Sequence, residues 1–117
     1  MKKILFETHH LYYLPNFIPI IEALRSRGGY DIYVSMPQYM QERERKLCYG
    51  ACSSMEIQVI NTDLETTRIE EIKSANFDVI VVGNVGQLRK IVSESTIAVM
   101  VYHGIGLKQS YYNDIDQ

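Results

Sequence analysis

Short unbroken apolar runs alternate along this chain with segments whose apolar residues recur at helical spacing. Ile4 to Phe6 reads as a short buried strand. Pro15 suits a first helical turn, and Phe17, Ile18, Ile21, Ala23 and Leu24 then form an apolar face that stops at Gly28-Gly29. Tyr30 to Ser35 reads as a second strand. From Pro37 to about Tyr49 a charged helix is expected, closed by Gly50, and Glu56 to Ile60 reads as a third strand. Glu65 to Ala75 carries Ile69 and Ile72 on one helical face. Phe77 to Val82, apolar apart from Asp78, reads as a strand covered on both faces. Gln87 to Ser93 reads as a helix with Leu88 and Ile91 inward, and Ile97 to Val101 as the last strand.

Strands separated by helical segments specify an α/β fold, a doubly wound, parallel five-stranded sheet of Rossmann-like type. The expected strand order is 3-2-1-4-5, with the switch point between the first and fourth strands, where such sheets hold their ligands. Three loops would then share one rim: His9-His10 after the first strand, Gly83-Asn84-Val85-Gly86 after the fourth, and His103-Gly104 after the fifth.

Composition narrows the classes. The chain has 117 residues, 46% hydrophobic and 22% charged, with a formal net charge of -2. That is enough for one core and lacks the basic excess of a nucleic-acid footprint. No apolar run approaches the roughly 20 residues of a membrane span. Met1-Lys2-Lys3 begins like an export signal, but Glu7 interrupts the apolar run behind it. Cys48 and Cys52 read as free thiols of a reducing compartment, so a cytoplasmic location is expected. The first loop has no glycine, which excludes the dinucleotide fingerprint. A phosphate-cradling P-loop is missing too. Glu7 and the distant Asp63 are too few acids for a receiver-type phosphoacceptor site.

The candidate chemistry lies on the rim. His9 and His10 are adjacent and would point to opposite faces of a continuing strand, so they do not make a simple metal pair, and no metal or other cofactor is expected. The run from Glu42 to Lys46 reads as a solvated helix face. Tyr12, Tyr13 and Phe17 read as an aromatic cluster packing the first loop onto its helix, or as a surface for a partner domain or lipid. His103 stands at a strand end with Gly104, Gly106 and Lys108 close behind. That suits acid-base chemistry beside a closely approached, phosphate-bearing ligand; the plain alternative is a histidine that caps the strand.

The stretch Tyr102-His103-Gly104-Ile105-Gly106-Leu107-Lys108-Gln109 resembles the aromatic-His-Gly-Thr-Pro-Leu-Lys-Lys stretch of the CDP-glycerol glycerophosphotransferase family of teichoic acid synthesis. The departures are Ile105 for the family's usual Thr and Gly106 for its usual Pro. The resemblance extends loosely over the chain and implies the N-terminal, acceptor-side half of a glycosyltransferase-B architecture. The donor-binding half would be missing, so residues 1–117 would be a single-domain fragment, inactive alone. His103 would be the base that takes the proton of an acceptor hydroxyl, and Lys108 would hold phosphate. Gly104, His9 and Asn84 would line the substrate side, the last two on rim position alone. The implied partners are CDP-glycerol, bound through the absent half, and a lipid-linked acceptor at the inner face of the cell membrane. Two other classes share the fold: half of a different glycosyltransferase-B or sugar-nucleotide epimerase enzyme, and a non-catalytic Rossmann-like binding module.

Overall fold

In the computed structural model, which describes residues 1–60, 64–83 and 88–101, the strands are β1 (Lys2–Glu7), β2 (Tyr30–Ser35), β3 (Gln58–Ile60), β4 (Val79–Val82) and β5 (Ile97–Met100). They form one parallel sheet in the order β3-β2-β1-β4-β5, as the alternation of elements predicts. The helices are α1 (Leu14–Arg27), α2 (Glu42–Ser54), α3 (Glu65–Ala75) and the single turn α4 (Leu88–Ile91), with a 3-10 turn at Leu11–Tyr13 before α1.

Strand parity divides the core in two. Ile4, Phe6, Ile32, Val34 and Val81 point to the face that α1 and α2 cover, packing with Phe17, Ile21, Cys48 and Cys52. Leu5, Ile80 and Val82 point to the other face and pack with Ile72, Phe77 and Ile91 from the α3 and α4 side. Glu7 has the parity of Leu5. Its register neighbours are Ser35 on β2 and Val82 on β4, so a carboxylate is placed at the end of the α3 face.

The largest correction to the expected boundaries is at α2. Its start is delayed because Pro37 opens a turn in which the Met40 N–H donates to the Pro37 carbonyl at 3.1 Å. Gly50 lies inside the helix rather than closing it. The stop is a Schellman arrangement around Glu56, whose φ is 56°. The Ile57 N–H donates to the Cys52 carbonyl at 2.9 Å and the Glu56 N–H to that of Ser53 at 3.1 Å. Ile57 then drops into the core beside Cys52, which fixes the helix end by packing instead of by glycine. α4 is shorter than expected, and Phe77 packs in the core just ahead of β4.

At the outer edge, β5 leaves Ile97 64% and Val99 40% exposed. The Val101 N–H still donates to the Val82 carbonyl at 2.8 Å. The described chain therefore ends on the same rim as Glu7 and Ser35.

Candidate functional site

The carboxyl ends of β1 and β2 are tied together by a buried ionic network. Glu7 and Arg68 are both fully buried. One guanidinium nitrogen of Arg68, Nη1, donates to both Glu7 oxygens at 2.8 Å, and the Ser35 hydroxyl donates to Glu7 Oε1 at 2.9 Å. The other edge of the guanidinium grips Glu65 as a fork, Nε to Oε1 at 3.0 Å and Nη2 to Oε2 at 2.6 Å. Such two-point pairing fixes direction as well as distance. Glu65 Oε1 also accepts the Gln38 backbone N–H at 2.8 Å, which anchors the turn after β2 to α3.

Local sequence explains the arrangement. Arg68 lies one helical turn before Ile72 and one turn after Glu65, so all three share the face that α3 turns to the sheet. Burial alone would lower the affinity of Arg68 for its proton. The hydrogen bonds and charges of Glu65 and Glu7 outweigh that and raise it, so the guanidinium stays charged. For Glu65, burial pushes the carboxyl up. The bonds from Arg68 and the Gln38 N–H and the charge of Arg68 reverse this and hold it below its ordinary value.

Beside the network stands His9, two residues past β1 and 4% exposed. Its Nε2 is buried without a hydrogen-bond partner among the described residues. Burial is the main reason its pKa falls below 6.5, with the charge of Arg68 helping and Glu7 opposing. The ring meets Tyr13 edge-on at 6.4 Å and Tyr39 at 6.3 Å. Tyr13 is fixed from behind by Gly83: a Cβ at that position would stand 3.1 Å from ring carbons of Tyr13. Burial is also the leading reason the Tyr39 phenol is raised, followed by the charges of Glu7 and Glu65.

Among the sequence-predicted residues, His9 is on the rim. His10 stacks on Tyr12 at 5.1 Å, with their ring planes 5° apart, and both histidines meet Tyr13 edge-on. His103, Gly104, Lys108 and Asn84 lie outside the described residues. Of the aromatic cluster, Tyr13 and Phe17 enter the core and Tyr12 stays exposed. Cys48 and Cys52 are buried free thiols in the other face of the core. No group of three or more metal-ligating side chains occurs among the described residues, and none of their helices is long and apolar enough to cross a membrane.

Sequence reasoning missed Glu65, Arg68, Ser35 and Tyr39, and set Glu7 aside. Two signals pointed to the pair: the parity of Glu7 with Leu5, and the spacing of Arg68 to Ile72. Comparison with family models, with curated proteins and with solved structures finds no match to this chain.

Proposed function

We propose that this domain is the acceptor side of a transferase that moves glycerol phosphate from CDP-glycerol to a hydroxyl of a lipid-linked cell-wall polymer. The observation that carries the reading is the exit of β5. The chain leaves Val101, bonded to Val82, and runs directly into Tyr102-His103-Gly104 and Leu107-Lys108, the stretch that resembles the glycerophosphotransferase motif. The doubly wound sheet supports the reading as well, since its switch point between β1 and β4 is where such folds hold ligands. In this reaction the acceptor oxygen attacks the β-phosphorus of CDP-glycerol and the bond to the bridging oxygen breaks. CMP leaves, and His103 takes the acceptor's proton. Lys108 holds phosphate, and Gly104 lets the backbone approach it. A second domain carries the donor, and the enzyme works at the inner face of the cell membrane.

The test is transfer from labelled CDP-glycerol to a lipid-linked acceptor by the protein expressed from its complete reading frame. A positioned general base contributes about 10²–10⁴-fold, so His103→Ala lowers turnover by that order while the thermal midpoint holds. Near-normal turnover in His103→Ala removes this histidine from the mechanism. Turnover with a uridine-linked sugar and none with CDP-glycerol overturns the substrate assignment.

A further inference from the structure

We propose that His9 is a ligand contact, bonding a hydroxyl of a neutral polyol or sugar that is admitted when the Tyr39 side chain swings off the imidazole. Buried polar atoms in folded proteins are nearly all hydrogen-bonded, and an exception calls for an explanation. Among the described residues His9 Nε2 is such an exception, and it lies at the end of β1 beside the switch point, where a doubly wound sheet receives ligands.

The surroundings select the ligand's chemistry. Each of the three nitrogens of Arg68 already donates to Glu7 or Glu65. Two carboxylates against one guanidinium leave the network negative, with no cation spare for a phosphate. A hydroxyl both donates and accepts, so it satisfies a neutral imidazole nitrogen in either tautomer. A phosphate group would bring like charge to the network, and an ammonium could only donate.

The surroundings also select the moving part. Tyr13, one of the two rings against the imidazole, is packed on Gly83. Tyr39, the second ring against the imidazole, is 57% exposed. Its turn is pinned by the Met40-to-Pro37 hydrogen bond and by the Gln38 N–H on Glu65. Rotation of the Tyr39 side chain, with the turn held, therefore uncovers His9. The displaced ring offers an apolar face to the C–H groups of a polyol.

The choice of a polyol among hydroxyl ligands rests on the acceptor-side reading; the unpartnered nitrogen, the negative network and the fit of a neutral hydroxyl do not. The experiment follows the imidazole resonances of His9 and His10 in the 117-residue chain during titration with glycerol and, separately, with inorganic phosphate. The expected result is a saturable shift of His9 with glycerol, no shift of His10, and none of His9 with phosphate. Replacing one neutral hydrogen bond by none is worth about tenfold in affinity, so His9→Phe weakens glycerol binding by that factor. In Tyr39→Ala, His9 moves toward its solvent-exposed resonance before any ligand is added. A His9 that ignores glycerol, that responds equally to phosphate, or that moves only in step with His10 overturns the proposal. Because this readout needs no turnover, a glycerol response in a protein that fails to use CDP-glycerol sinks the transferase reading alone. Transfer activity with a silent His9 sinks this proposal alone.

Discussion

In α2 the charges Glu42, Arg43 and Lys46 stand in water while two thiols, Cys48 and Cys52, go into the core; in α3 it is a guanidinium that goes in. Both helices are dense in charge, and their placement over the sheet decides which residues are buried. α2 belongs to the face formed by Phe6, Val34 and Met36, where an apolar or weakly polar side chain is the only inexpensive occupant. The hydrogen bond between the two thiols, with burial, pushes the Cys48 thiol up and keeps it uncharged. α3 belongs to the face on which β1 ends in Glu7, and a buried carboxylate calls for a buried cation. The comparison shows that a helix's inward residue is set by the parity of the strand beneath it as much as by its own amphipathicity.

Taking the cation from α3 should have the largest effect. Removing one partner of a buried ion pair typically costs about 3–5 kcal/mol, because the remaining charge stays buried and unpaired. Arg68→Met should therefore lower the unfolding free energy by that amount in urea denaturation. Adding Glu7→Leu to the same chain should recover most of the loss, since the buried carboxylate then leaves with its partner. A loss in Arg68→Met below about 1 kcal/mol, the range of exposed pairs, would mean that Glu7 and Arg68 are reached by water and that the two helices do not differ.

How much of this was legible follows from the same contrast. Alternating runs identify five strands because a parallel sheet covered on both faces needs continuous apolar segments, and Ile32–Val34 and Val79–Val82 supply them behind Asp31 and Asp78. The end of α2 was not legible. Gly50 looked like a stop, whereas the actual stop is a left-handed Glu56 held by Ile57 packing, and tertiary contact decides that. The site was legible at His9, whose place follows from topology. It was not legible at Arg68, because one arginine in a helix that also carries Glu70, Glu71 and Lys73 reads as solvated until Glu7 is known to lie beneath it.

Acid should sharpen the contrast. His9 is depressed below 6.5 by burial, so the unfolded chain takes up its proton first as the pH falls. Its contribution is intact above about 6.5 and is lost progressively below it. Glu65, held below 4.5 by Arg68 and the Gln38 N–H against the opposing effect of burial, supports the fold above 4.5. That support disappears as the pH drops toward its lowered folded value. Thermal midpoints measured against pH should therefore fall in two stages, with the upper stage missing in His9→Phe and the lower one in Glu65→Gln. A midpoint in His9→Phe that still declines between pH 6.5 and 4.5 as in the parent would assign the upper stage to another group.

The smallest effect is expected on α2. Lys46 and Glu42 are 3.5 Å apart at helical spacing, with side chains 76% and 80% exposed, and helix pairs of this kind contribute about 0.3–0.5 kcal/mol. Lys46→Ala loses that interaction but gains the better helix propensity of alanine, a gain of a few tenths of a kcal/mol. The two should nearly cancel. What remains should vanish at about 1 M salt, where the screening length is about 3 Å, whereas the loss in Arg68→Met should persist there because no ion reaches the buried carboxylate. Urea denaturation of both variants at low and high salt makes the comparison directly. A salt-insensitive loss in Lys46→Ala approaching that of Arg68→Met would place the α2 charges in the structure's core energetics and erase the distinction between the two helices.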